Sequence, residues 1–228
     1  MPASPCQQEE PHSCVSLNSI ERLGPMEIER RSFEIISEEA GSRIPNDERA
    51  MLIKRVVHTT ADFDYIDALC FSDHVMEKAY AALKNGARII TDTNMALAGI
   101  NKPSLKKAGC EAFCFMADED VAQEAKRKGV TRASVCVDKA AGLGVPLIYV
   151  VGNAPTALIR LYELILEDKI HPELIIGVPV GFVNVVQSKE LIMQTDVPYI
   201  VARGRKGGST VAACICNALL YALDGSRG

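Results

Sequence analysis

Four short runs rich in Ile and Val, ARIITD, PLIYVVG, ELIIGVPV and PYIVAR, constrain the fold of this 228-residue chain more than any other feature. Each holds a continuous apolar stretch too short for a buried helix, and PLIYVVG is apolar throughout, as expected of a strand covered on both faces. AFCF is a shorter fifth run of the same kind. Between the runs lie segments of helical period. VMEKAYAALKNG places Met76, Ala79, Tyr80 and Leu83 on one stripe and ends on Gly86. DEDVAQEAKRKG and Thr131–Ala141 follow, then PTALIRLYELILED with Leu158, Leu161, Tyr162 and Ile165, then SKELIMQ. GSTVAACICNALLYAL closes the series, with Val211, Ile215, Ala218, Leu219 and Ala222 on its apolar stripe. Strands alternating with helices predict an α/β three-layer sandwich on a mostly parallel sheet of about five strands.

Two further helices precede this alternation. PMEIERRSFEIISEEA carries Ile28, Phe33, Ile35 and Ile36, with Gly41 placed to stop it. Asn46 or Asp47 is placed to cap DERAMLIKRVVHTTAD, in which Arg55 and His58, three residues apart, share a helical face. Residues 1–20 hold three Pro and two Cys with little periodicity, so they read as a loose N-terminal arm. Residues 21–228 read as one α/β domain.

Composition removes several function classes. Lys and Arg total 25 against 29 Asp and Glu, a net charge of −4, which argues against a nucleic-acid binder. No run approaches the roughly 20 apolar residues of a membrane span. The N-terminus has neither a basic start nor an apolar core, so no export signal is expected and the cytoplasm is the expected compartment. None of the eight cysteines forms a CxxC pair, and no second pair sits at zinc-ligand spacing. Reduced thiols acting as small core residues, with no metal site, are expected.

In an open parallel sheet, ligands bind beyond the carboxyl ends of the strands. The segments leaving those ends, TDTNMALAGINKP, GNAPTA, VPVGFVNVVQSKE and RGRKGGST, are rich in Gly, Asn, Thr, Ser or basic residues. Arg203-Gly204-Arg205-Lys206-Gly207-Gly208-Ser209-Thr210 runs straight into a helix, so its glycines, cations and helix start favour an anion. It is not a nucleotide-binding P-loop, because no GxxxxGK precedes Ser209, and no GxGxxG follows a first strand. Asn153 reads either as an N-cap before Pro155 or as a ligand contact, and Thr93 and Asn94 after Asp92 either as turn residues or as polar contacts. Of the four histidines, His12, His74 and His171 sit in the arm, near a helix start and before a proline. His58 stands apart because Arg55, Thr59, Thr60 and Asp62 crowd around it.

RVVHTTAD, DTNMALAGI, GNAPTAL, PVGFVNVVQSKE and GRKGGSTVAACICNALL, in this order, resemble the precorrin-8X methylmutase family over roughly residues 25–224. The chain departs from the expected pattern at Gln187, where Glu is the expected residue. The resemblance implies a flavodoxin-like fold and an isomerase of corrin (cobalamin) biosynthesis. It moves a methyl group from C-11 to C-12 of (cobalt-)precorrin-8, giving hydrogenobyrinate or cobyrinate. No cofactor is implied and no S-adenosylmethionine, since the methyl is already on the substrate, which itself arrives metal-free or loaded with cobalt. Family precedent implies a homodimer. The implied catalytic residue is His58, with Arg55 and Ser32 as substrate contacts.

These residue types suit the chemistry. A 1,5-sigmatropic methyl shift needs the conjugated ring polarised by a proton, and histidine, with an unperturbed pKa of about 6.5, can give and retake one at neutral pH. An arginine on the same face can pair with a substrate carboxylate. The many carboxylate arms of a corrinoid account for a rim with scattered cations at Lys102, Lys189, Arg203, Arg205 and Lys206. Two other readings stay open: a carrier that holds the product without turnover, and a flavin- or anion-binding module. The second is weakened by an aromatic content of 5% with no Trp.

Overall fold

The computed structural model describes residues 20–225 together with residue 17, so all but two positions of the expected arm, with Cys6, His12 and Cys14, lie outside the described residues. Among the described residues the eleven α-helices are α1 Pro25–Ala40, α2 Ala50–Thr60, α3 Tyr65–Ala68, α4 Val75–Lys84, α5 Asn94–Gly99, α6 Lys102–Lys107, α7 Glu119–Lys128, α8 Arg132–Ala141, α9 Pro155–Leu166, α10 Val185–Ile192 and α11 Ser209–Asp224. The six strands of the described residues are β1 Leu69–Phe71, β2 Arg88–Thr91, β3 Ala112–Phe113, β4 Leu147–Val151, β5 Leu174–Gly177 and β6 Tyr199–Ala202.

All six strands form one sheet in the order β1-β6-β5-β4-β2-β3. The pairs β2–β3, β2–β4, β4–β5 and β5–β6 are parallel. Those five parallel strands, counted in chain order, lie 2-1-3-4-5, which is the flavodoxin arrangement. The sixth strand, β1, adds antiparallel to β6 at one edge, with Cys70 opposite Val201. It was not expected from sequence because three residues, only one of them buried, carry too little pattern.

Inside each apolar run the period of two sorts residues between the sheet faces. Ile148 and Val150 of β4 face one core with residues of α2, α4 and α11. Leu147, Tyr149 and Val151 face a second core with α8 and α9. Helices thus cover both faces, as the continuous apolar runs require.

Several local expectations change. The second helix begins at Ala50 rather than beside Asn46 or Asp47, because the Asp47 carboxylate turns to the Arg49 N–H and guanidinium instead of capping. The segment after β2 is not a loop but two short helices. The Thr93 and Asn101 side chains cap them by accepting from the Ala96 and Ser104 N–H groups. Asn153 is not the cap of α9, which starts from Ala154 with Pro155 in its first turn. The α11 helix is buried well beyond one stripe, with Ala212, Cys216 and Leu220 also in the core, while Ala222 is exposed. Cys110, Cys136 and Cys216 are buried free thiols, and burial pushes Cys136 and Cys216 up to about 12.

Candidate functional site

The flavodoxin arrangement places its ligand crevice where strand order reverses, between β2 and β4. Here that crevice is filled from within. Asp92, 1% exposed, accepts backbone hydrogen bonds from Gly152, Asn153 and Ala154 at 2.8, 2.8 and 2.7 Å. Burial raises the Asp92 carboxyl above the usual carboxylate range, while the three N–H groups work against that rise. An N–H cluster that other doubly wound proteins offer to an anion therefore already holds one. The start of α11 seals the place further: a Cβ on Gly152 would lie 2.8 Å from the Ser209 Cα. Thr93, the cap of α5, shares a 2.8 Å hydrogen bond with Ser209, and the exposed Asn94 and Asn153 flank this joint.

The glycine-rich segment is also spoken for. Lys189, expected as a rim cation, is instead fully buried. Its ammonium donates to the carbonyls of Gly204 and Lys206 at 2.8 and 2.9 Å. Burial lowers its pKa to about 8. This correction has a simple cause: Lys189 lies on the buried side of α10 with Val185, Ser188 and Ile192, so its long side chain serves the loop's carbonyls rather than solvent. Lys206 pairs with Asp62 and Asp64 at 2.5 and 2.7 Å, which ties the loop to the end of α2. Arg203 forks onto Glu190 at 2.9 and 3.3 Å, Arg205 lies over the Phe182 ring at 5.4 Å, and Lys102 donates to the Leu97 carbonyl. Gly207 has φ +156°, and a Cβ there would meet the Val178 carbonyl oxygen at 2.1 Å. Only glycine lets this loop lie against the end of β5.

The open space lies off the sheet, in the helical layer formed by α1, α2, α5 and α11. A cavity of about 630 Å³ is lined there by Arg55, His58, Glu29, Thr59, Cys214 and Tyr221, among others. Of the residues expected at the site, Arg55 and His58 line it. Ser32 stands one residue from Phe33 on α1, where its hydroxyl donates to the Ile28 carbonyl.

The cavity's geometry follows from its helices. The period of α2 puts Arg55 and His58 on the face turned to α1 and α11. His58 is exposed, and its ring meets that of Phe33 edge-on, with centroids 5.5 Å apart. Arg55 is buried, its guanidinium 5.3 Å from the Phe33 ring centre and 5.0 Å from that of Tyr221. Glu29 accepts from Arg55 Nη1 at 2.8 Å. Behind them, the Asn101 amide donates to the Tyr221 hydroxyl at 3.2 Å, and Asn217 joins α11 to α5 by donating to the Gly99 carbonyl and accepting from the Asn101 N–H. Thr59 donates to the Cys214 sulfur at 3.2 Å, and burial pushes that thiol up.

Glu29, Phe33, Asn217 and Tyr221 were not foreseen as site residues. A signal existed for Asn217, a lone amide within an otherwise apolar helix. Glu29 left none, since its partner lies 26 residues away on another helix.

The fold and site define an α/β protein of flavodoxin strand order whose usual crevice is plugged. Its accessible chemistry, one histidine beside one arginine, lies in a cavity of the helical layer. Comparison with known proteins agrees. The family model described as precorrin-8X methylmutase matches residues 27–222. The chain is 44% identical over 220 residues to the cobalt-precorrin-8 methylmutase of Leptospira interrogans, covering 93% of this chain and 99% of that one. It is 45% identical over 205 residues to the Salmonella typhimurium protein of the same name, covering 87% and 96%. It is 37% identical over 195 residues to the precorrin-8X methylmutase of Pseudomonas aeruginosa, covering 84% and 93%. The solved structure of the Thermus thermophilus precorrin-8X methyl mutase superposes with a TM-score of 0.78 at 36% identity, covering 88% and 99%. The chain belongs to the precorrin-8X methylmutase family, and is thus an isomerase of cobalamin biosynthesis.

Proposed function

We propose that the protein moves a methyl group from C-11 to C-12 of a corrin precursor, with His58 as proton donor and acceptor and Arg55 as the anchor for a substrate carboxylate. The carrying observation is the placement of His58 and Arg55 on one face of α2, both lining the open cavity. His58 protonates the conjugated ring and polarises it toward C-12. The C-11–methyl bond breaks as the C-12–methyl bond forms, and His58 retakes the proton, so no atom or electron is gained overall. Holding the ring against the imidazole supplies the remaining catalysis. Five relatives named for cobalt-precorrin-8, at 38% to 45% identity, are more similar to this chain than two named for precorrin-8X, at 37% and 34%. A sixth cobalt-precorrin-8 relative, from Synechocystis sp., stands at 33%; the five support a substrate already loaded with cobalt.

The test incubates metal-free and cobalt-loaded substrate in parallel, without oxygen, and follows the absorbance change from precursor to product. Faster conversion of the cobalt form is expected. His58→Ala is expected to bind the corrinoid and leave it unrearranged. Retained turnover in that variant removes the proton-transfer role, and binding without turnover by the wild-type chain leaves the carrier reading instead.

A further inference from the structure

The cavity's acid and base already neutralise each other, and the manner of their pairing is unequal. Arg55 is held by more than its ion pair. Phe33 and Tyr221 flank its guanidinium at 5.3 and 5.0 Å, and the Tyr221 hydroxyl is itself fixed by Asn101. Cation–π contacts of this kind keep an arginine in place when its carboxylate partner leaves. Glu29 is held by a single 2.8 Å contact to Arg55 Nη1. It rides on α1, the outermost helix of the layer, whose Ile28 and Ile35 are 51% and 38% exposed. Among the described residues lining the cavity Glu29 is the one carboxylate, and it stands where an incoming carboxylate would have to bind.

We propose that Glu29 is a displaceable stand-in for a substrate carboxylate, keeping Arg55 neutralised in the empty enzyme and yielding it when the corrinoid's own carboxylate arrives. This inference rests on the reading of Arg55 as a substrate anchor. The physical need is clear: burial makes the positive charge of a guanidinium costly, and the Glu29 carboxylate balances it while the site is empty. The exchange replaces one carboxylate by another on the same nitrogen, so charge is conserved at Arg55 and Glu29 passes to solvent. It also sets specificity. A corrinoid lacking the matching carboxylate cannot displace Glu29, and so meets a closed pair and an uncompensated desolvation.

The exchange carries a competitive term. If the Glu29 carboxylate occupies Arg55 about nine-tenths of the time, apparent affinity is reduced about tenfold, and removing its charge recovers that factor. Glu29→Gln keeps a neutral acceptor of the same length for Arg55. Absorbance titration of the corrin polycarboxylate product into this variant is therefore expected to give a Kd about tenfold lower than wild type, with a higher kcat/KM for the substrate. A Kd that is unchanged or weaker overturns the proposal, since a group that merely positions Arg55 can only lose affinity when altered. Should Glu29→Gln fail to fold, Glu29→Asp, which keeps the charge but draws it back from Nη1, serves instead. Tighter binding supports the proposal and equal or weaker binding sinks it. The titration needs no turnover, so a wild-type chain that binds product but rearranges nothing fails the isomerase reading and leaves the Glu29 test intact.

Discussion

The glycine-rich rim and the His58 cavity meet along the same helix, α11, yet they treat charge in opposite ways. At the rim each charged group is met from inside the chain: Asp92 by three backbone N–H groups, Lys189 by two carbonyls, Lys206 by Asp62 and Asp64, Arg203 by Glu190. In the cavity Arg55 lies near two aromatic rings and pairs with an exchangeable acid, and His58 presents an exposed ring. Asp92 and Lys189, which the fold needs, are each satisfied more than once by backbone atoms that cannot leave. On the proposed reading, a group that a ligand needs is held in place but left available. By that measure the rim reads as construction and the proposed chemistry falls in the cavity, although the rim carries more of the cations.

The largest expected contrast comes from His58→Ala. The side chain is exposed at the end of α2, so its loss should leave thermal unfolding nearly unchanged. Turnover should fall by about 10²–10⁴-fold, the usual worth of a positioned acid–base group. A matching loss of stability would place His58 with the construction and blur the comparison.

Asp92→Ala should do the reverse. It strips the acceptor from three buried or half-buried N–H groups, each costing about 1–3 kcal/mol when left unmet, so a loss on the order of 3–5 kcal/mol is expected in denaturant unfolding. Asp92→Asn, with one acceptor oxygen, should fall between. A loss below about 1 kcal/mol would mean that water enters the strand end and satisfies the cluster, and the crevice would then be open after all.

Lys189→Met probes the same region more gently. The substitution keeps the length and leaves two carbonyls without their donor, for an expected loss of about 1–3 kcal/mol at neutral pH. The pH dependence gives the sharper readout. Burial lowers the folded-state pKa of Lys189 to about 8, against an ordinary 10.5. Between those values the unfolded chain holds a proton that the folded chain has released, so stability rises with pH across the window, by at most about 1.4 kcal/mol per pH unit. The wild type should therefore gain on Lys189→Met as pH climbs from about 8 to 10.5 and be flat relative to it below about 8. The absence of that slope would mean the ammonium reaches solvent, as a rim cation would.

What was legible in the sequence divides along the same line. The parallel strands could be read because β4, β5 and β6 are apolar along nearly their whole length, and burial on both faces leaves no other pattern. Arg55 and His58 could be paired because a helix brings residues three apart onto one face. The satisfied charges could not be read, since no local spacing links Asp92 to backbone donors some 60 residues away, Lys189 to carbonyls 15 and 17 residues on, or Glu29 to Arg55. Sequence shows that a lysine lies near a glycine-rich loop. It does not show whether the ammonium faces the ligand or props up the loop, because that choice is made by how α10 lies on the end of the sheet.

Arg203 gives the smallest expected effect and the finest test of where the boundary falls. Its side chain is 58% exposed and forks onto that of Glu190, itself 39% exposed, so the pair is worth little in water. Arg203→Ala should change stability by no more than about 0.5–1 kcal/mol. On the view that the rim is construction, KM for the corrinoid should also stay within about threefold, since a single solvated cation adds little to the affinity of a polyanion. The measurement should be made at low and at moderate salt. A rise in KM of tenfold or more that shrinks with added salt would mean that Arg203 leaves Glu190 for a substrate carboxylate. The site would then extend from the cavity along α11 to the rim, and Arg203 with Glu190 would repeat at the surface the exchange proposed for Arg55 with Glu29.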